Sequence, residues 1–308
     1  MLAYLIQRLL QGVVVIFIVS VLTFFLMQAA PGSPRDLMIG EAYVTEAQRE
    51  AIDRKWGFDK PWYEQYLTWA GNLVTGDLGT STVRTGEPIS SMILNAASFT
   101  LRLNVLSFVF SLCVAIPIGV IAALKRYTWF DYGSMIGSTI GVTIPNYWLA
   151  LMAIVVFSVQ LGWLPPYGAD TWKGYILPVV ILSIDEVAAL ARLTRGATIE
   201  ALSQDYVTTA RAKGLAERIV TSRHVVRNSL LPVVTVIGYR IAFILSGTIV
   251  VETVFAWPGL GRLFYDSIVR LDYQVVQAIV LVLTALIVLV NIVTDLTYAL
   301  IDPRVRIR

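Results

Sequence analysis

A chain of 308 residues with 56% hydrophobic and 15% charged residues has too much apolar surface for one or two soluble domains and reads as a polytopic membrane protein. Its formal net charge of +3 is too small to argue for nucleic acid. There is no G-x-x-x-x-G-K-[ST] phosphate loop, one histidine (His224) and one cysteine (Cys113), which excludes P-loop ATP binding, H-E-x-x-H zinc chemistry and an internal disulfide.

A spanning helix needs about 20 mainly apolar residues. Six stretches qualify: 9–30, 103–124, 132–157, 175–191, 230–251 and 273–294. The first is longer than a signal-peptide core, and Gln28 stands where cleavage wants a small residue, so we read it as a retained span. An even number of spans puts both termini on one side. With the termini cytoplasmic, thirteen Lys and Arg fall in cytoplasmic segments, against nine outside accompanied by thirteen acids; basic residues are retained inside.

After the first span, Pro31-Gly32-Ser33-Pro34 breaks the helix and opens an extracytoplasmic cap segment, residues 31–97. Within it 45–55 and 62–74 have helical spacing, and Trp56, Trp62, Tyr63, Tyr66 and Trp69 cluster as at a bilayer interface. This is a cap resting on headgroups or, on the sharper reading, a docking surface. Gly76-Asp77-Leu78-Gly79-Thr80-Ser81 reads as a tight turn. The third span carries Gly133, Gly137 and Gly141, a pattern for close helix approach; Pro145 should kink it, and Asn146 puts a polar group at depth. In the fourth span Asp185 and Glu186 lie roughly 15 Å from the outer end, and Arg240 in the fifth lies roughly 13 Å from the inner end. Charges at such depth face a bundle interior or a water-filled path. They form a buried ion pair, belong to a substrate path, or mark a misplaced span boundary.

Residues 200–232 are the longest polar passage of the second half. Ile199, Leu202, Tyr206 and Ala210 give one apolar helix face. Gly214 should end that helix in the left-handed conformation, with Arg211 and Lys213 in the last turn. A second short helix should then show Leu215, Ile219, Val226 and Leu230 as an apolar stripe. Two short helices broken at a glycine make a knob that a soluble partner could grip.

These segments together resemble the B-type membrane permease subunits of the peptide and nickel ATP-binding-cassette importers along nearly the whole chain. The motifs are Pro31-Gly32-Ser33-Pro34, residues 76–81, the Asp205-Tyr206-Val207-Thr208-Thr209-Ala210-Arg211-Ala212-Lys213-Gly214-Leu215 run, Arg227-Asn228-Ser229-Leu230-Leu231-Pro232 and Trp257-Pro258-Gly259-Leu260-Gly261-Arg262. Gly168-Ala169-Asp170-Thr171-Trp172 looks closest to dipeptide and glutathione permeases. Thr208 and Thr209 stand where many permeases have Glu-Ala, and the acids at 185 and 186 stand where apolar residues are expected.

The resemblance implies an all-α permease domain over residues 1–308 with six transmembrane helices, in the bacterial or archaeal plasma membrane. It also implies a homologous second permease, two cytoplasmic ATPase subunits that bind the ATP and Mg, and an extracytoplasmic substrate-binding protein. The region 198–229 becomes the ATPase-coupling element, carried by Asp205, Tyr206, Thr209, Ala210, Arg211, Ala212, Lys213, Gly214 and Leu215. Asp185, Glu186, Arg240 and Asn146 are path or gate candidates; Asp77, Trp163, Trp257 and Arg262 are candidates for docking the binding protein. The cargo implied is a di- or oligopeptide, with nickel or another small solute as the alternative. A lone secondary transporter should show an internal repeat with matched broken spans, which is not seen. An intramembrane enzyme would have only the acids at 185 and 186 as an acidic pair in the bilayer.

Overall fold

The computed structural model describes residues 2–29, 46, 50, 53–54, 59–84, 86–241 and 248–301. Its helices are α1 (Leu2–Ala29), α2 (Trp62–Val74), α3 (Ile89–Leu124), α4 (Trp129–Thr143), α5 (Asn146–Ala153, continued as a π-helix Ile154–Gln160) and α6 (Trp172–Leu202). They are followed by α7 (Asp205–Ala212), α8 (Glu217–Ile219, continued as a π-helix Val220–Val226), α9 (Arg227–Ile241), α10 (Ile249–Val254), α11 (Leu260–Val269) and α12 (Tyr273–Ile301). Extended pairing among the described residues is confined to one bridge, Thr80 with Pro88. The chain divides into two units, residues 1–98 with 262–308, and residues 99–261.

In the first unit α1 and α12 pack antiparallel, since Gly12 meets Val288 while Phe24 and Gln28 share a cavity with Tyr273 and Gln277. A Cβ on Gly12 would lie 2.5 Å from Val288 Cγ1, so this helix pair closes where α1 has no side chain. Helix α2 occupies the range its spacing predicts and lies on α1 through aromatic rings. Tyr66 and Trp69 sit 5.4 and 5.8 Å from Phe24, and Trp62 sits 5.3 Å from Phe25. Ser20 Oγ donates to Phe17 O, so the 2.8 Å contact between Tyr66 Oη and Ser20 Oγ has Tyr66 as donor. Trp56 and most of the expected 45–55 helix lie outside the described residues.

In the second unit α6 is the central element and packs against α4, α5, α9 and α10. Ala115, Leu190, Ala191 and Val233 form one apolar core; Ala150, Leu177, Ile181, Val251 and Phe255 form another. Helix α3 crosses α6 in backbone contact at Gly119, where a Cβ would stand 2.6 Å from both Ala191 O and Thr194 Cβ. Of the three glycines read as a packing ridge, Gly133 and Gly137 face open space, and Gly141 alone is close to a neighbour, with Ile184 Cγ2 2.9 Å from its would-be Cβ.

Parts of α1 (Leu5–Ala29) and α12 (Tyr273–Val293), and the whole of α3, are long and apolar enough to cross a membrane; α4 and α5 reach that standard only as a pair bent by 101°. Pro145 therefore does more than kink its span. Ile144, forced out of the helical region by the following proline, takes ψ 126°, and Pro145 caps a new helix. The 175–191 stretch lies within α6, whose 31 residues extend about 46 Å. The 230–251 stretch is covered by α9 and the start of α10, with 242–247 outside the described residues.

Candidate functional site

The knob comes from a break the periodicity did not foresee. The face drawn through Ile199, Leu202, Tyr206 and Ala210 assumes one helix, but α6 stops at Leu202 and α7 begins at Asp205. The knob's own core is Ala201, Val207, Ala210, Val220 and Val225, while Tyr206 is exposed. Helix α7 does end at Gly214, with φ +73°. The Gly214 N–H donates to Arg211 O at 2.9 Å and the Leu215 N–H to Ala210 O at 3.4 Å, the paired closure of a left-handed glycine cap. Of the expected stripe Leu215 and Ile219 are exposed and Leu230 packs on the core around Ala115, while the face turned into the knob is Val220 and Val225. A π-helical turn brings residues five apart onto one face, which a period of 3.6 misses.

Residues 211–219 form a continuous exposed ridge. Across it Arg211 grips Glu217 with two hydrogen bonds, 3.1 and 2.6 Å. These bonds hold the Glu217 carboxyl below the usual glutamate range and push the Arg211 guanidinium up. The candidate coupling residues therefore separate: Ala210 is buried inside the knob, whereas Asp205, Tyr206, Thr209, Arg211, Ala212, Lys213, Gly214 and Leu215 lie on its surface. Glu217 was not singled out from sequence; its position opposite Arg211 depends on the turn at Gly214.

The knob's stem is tied to the broken span by a pair that sequence reasoning missed. Arg195 Nε donates to Asp131 Oδ1 at 2.5 Å and its Nη2 to Oδ2 at 2.8 Å. Asp131 is buried and also accepts the N–H of Tyr127, a residue at φ +65°. One carboxylate thus holds the start of α4, a left-handed turn and α6 together.

At mid-length of α6, Asp185 is exposed and Glu186 half-buried. Asn146, on the first turn after the break, donates its Nδ2 to Asp185 Oδ2 at 2.7 Å. The break and the acid are thus joined, so two of the four path candidates meet directly. The side chain of Arg240 lies outside the described residues.

The residues 252–262 organise around Glu252, which is fully buried. Its Oε1 accepts from Thr100 Oγ1 at 2.7 Å and Thr248 Oγ1 at 2.9 Å, and its Oε2 accepts the Gly261 N–H at 2.7 Å. Thr100 Oγ1 in turn accepts the Leu260 N–H at 2.8 Å. A Cβ on Gly259 would lie 2.4 Å from the carboxylate, and one on Gly261 2.6 Å from Ile249 Cα. The glycines are there because the loop closes over the acid. Trp257 is also fully buried, its ring 4.6 Å from Tyr175 and its Nε1 donating to Phe99 O at 3.2 Å. It has no surface to offer a docking partner.

Three other docking candidates remain accessible. Asp77 and Trp163 are exposed, and Arg262 pairs loosely with Asp266 at 3.6 Å. Asp77 Oδ1 accepts the Gly79 N–H at 2.9 Å, so the 76–81 segment is a carboxylate-stabilised turn. Asp272, buried and unremarked in the sequence, anchors the end of that turn: Ser81 Oγ donates to its Oδ2 at 2.5 Å and Thr82 Oγ1 to its Oδ1 at 3.1 Å.

A helical chain with a bent span, an exposed glycine-capped knob and a carboxylate-clasped Trp-Pro-Gly-Leu-Gly loop can be matched against known proteins. The family described as "binding-protein-dependent transport system inner membrane component" matches residues 115–307, and its N-terminal companion matches residues 1–117. The chain belongs to this permease family. Its relatives include the oligopeptide transport system permease protein AppB of Bacillus subtilis, 42% identical over 315 residues. The glutathione transport system permease protein GsiC of Escherichia coli O6:H1 is 43% identical over 309 residues. In each case 99% of this permease and 99% of the relative are covered. Among solved structures, an amino acid ABC transporter crystallised with histidines aligns with a TM-score of 0.49 at 16% identity, covering 70% of this chain and 95% of that one.

Proposed function

We propose that this permease is one half of the membrane channel of an ATP-driven importer for di- or oligopeptides in a bacterial plasma membrane. The observation that carries the reading is full-length identity of 42% to an oligopeptide permease; glutathione, the cargo named for the other relative, is itself a tripeptide. Six spans with cytoplasmic termini fit the positive charge of the short connections. A second, homologous permease would complete the channel, an extracytoplasmic binding protein would deliver cargo, and two ATPase subunits would bind ATP and Mg. No catalytic role falls to this chain.

The ridge 211–219 is the element we assign to coupling. It is rigidly built, because the knob has its own apolar core and its turn is closed by a glycine cap and a two-bond ion pair. A rigid protrusion transmits ATPase closure as displacement, and α6 carries it toward the broken span, with the Asp131–Arg195 pair linking the two helices. Asp185 with Asn146 is the polar group we assign to the path, suited to the cationic amino terminus of a peptide. Asp77, Trp163 and Arg262 remain our docking residues.

The test is peptide uptake by vesicles carrying the full transporter. Ala212→Trp and Leu215→Asp alter only exposed side chains and should abolish uptake and peptide-stimulated ATP hydrolysis while the permease still inserts. Unchanged stimulation in both would remove the coupling assignment. Ala210→Trp is not a fair probe of docking, since it would burst the knob's own core.

A further inference from the structure

The first unit contains a cavity of about 540 Å³ of whose lining the transport reading uses Asp77 alone. Its volume falls within the range of small-molecule sites. The floor is Phe24, Tyr273 and Gln277, none more than 7% exposed. Lys60 and Asp77 stand exposed on its rim.

One buried acceptor of this cavity is left without a partner. Gln274 Oε1 is buried without a hydrogen bond, and Gln277, itself nine-tenths buried, lines the same cavity one helical turn on. A buried amide left unsatisfied is unfavourable, so such groups are normally matched by a ligand or ordered water. Asp77 uses Oδ1 for the Gly79 N–H, and its Oδ2 has no bond among the described residues. The Lys60 ammonium has no ion pair there either. The site thus offers acceptors for N–H donors on one side and a cation on the other. That is the complement of a zwitterion with a primary ammonium and an anionic group.

Two kinds of molecule share that chemistry, an aminophospholipid headgroup and a free short peptide. Position decides between them. The cavity lies where α1 leaves its apolar span and α12 enters its own, which is headgroup level for both. Beside it Leu22, Phe25 and Leu26 on α1 are exposed, a surface for acyl chains, and Phe24 and Met27 line the wall itself.

We propose that this cavity, built by Gln274, Gln277, Asp77 and Lys60, binds the headgroup of a phosphatidylethanolamine-type lipid. The ammonium lies toward Asp77 and Gln274, and the phosphate toward Lys60. The proposal rests on the membrane reading of α1 and α12 and not on the cargo.

Native mass spectrometry of the assembled transporter, released from nanodiscs of phosphatidylethanolamine or of phosphatidylcholine, tests it without ATP or transport. Choline has no N–H to give Gln274 or Asp77, so ethanolamine lipid should be retained about tenfold more, a difference of about 1.4 kcal/mol. Gln277→Leu should erase the preference. Should that variant fail to assemble, Asp77→Asn on the exposed rim should reduce it, while Lys60→Glu, facing the phosphate that both lipids share, should lower the retention of both alike. Equal retention of the two lipids, a preference unaltered by Asp77→Asn, or retention unaltered by Lys60→Glu overturns the proposal. Displacement of the retained lipid by a millimolar dipeptide overturns the lipid as the source and assigns the site to peptide.

Discussion

A buried carboxylate persists where donors surround it, as Glu252 does in accepting from Thr100, Thr248 and the backbone of Gly261. Glu252→Ala would strand the Gly261 N–H and two hydroxyls. The hydroxyls can rotate to other acceptors and the N–H cannot, so we expect a loss of about 1–3 kcal/mol, read as a lower thermal midpoint of the purified complex. Gly259→Ala should do similar harm by driving a methyl into the same carboxylate, whereas Trp163→Ala, at an exposed position, should leave the midpoint in place. The Arg211–Glu217 pair behaves differently because it is exposed. Its carboxyl titrates below the ordinary value of 4.5, so its contribution is complete above that pH and is lost as pH falls through the lower folded value. Protection of the Leu215 amide from exchange should therefore be level from neutral pH to about 5 and fall only in acid. Glu217→Gln should show the acid behaviour at neutral pH.

At the scale of elements, helix contacts in this permease are made where side chains are missing. Gly119 meets backbone atoms of α6 that cannot step aside, so Gly119→Ala should destabilise by about 1–3 kcal/mol through overpacking. Gly133→Ala, which would add a methyl in open space, should be neutral in the same thermal assay. Nothing in the sequence separates these two glycines, and of the Gly133, Gly137, Gly141 spacing only Gly141 meets a neighbour among the described residues. What was legible obeys local rules: α2 over 62–74 follows from its spacing, and the end of α7 follows from Gly214. The break at Pro145 was legible as a kink but not in size, because proline forbids the preceding helical residue without fixing the angle of departure. The Val220 and Val225 face was hidden by a π-helical period, and the Glu252–Thr100 and Ser81–Asp272 contacts by separations of 152 and 191 residues.

For the whole molecule, orientation in the membrane decides whether the knob can meet an ATPase at all, and charge is what argues for it. The knob and its flanks carry seven Lys and Arg between 192 and 227, and basic connections stay in the cytoplasm. Thiol labelling in intact cells measures this directly, provided the background is silent. Cys113 is exposed, so the parent should be Cys113→Ala. Thr82 is a poor reporter because its hydroxyl is bonded to the distant Asp272, whereas Val83, Asp170 and Ser203 are exposed, and the Ser203 hydroxyl makes only a local bond to Glu200 O. Cysteines at 83 and 170 should react with an impermeant maleimide added outside, and a cysteine at 203 should react only after the cells are permeabilised. Labelling at 203 from outside would place the ridge 211–219 beyond the reach of any cytoplasmic subunit. The coupling assignment would then fail even if peptide uptake itself were demonstrated.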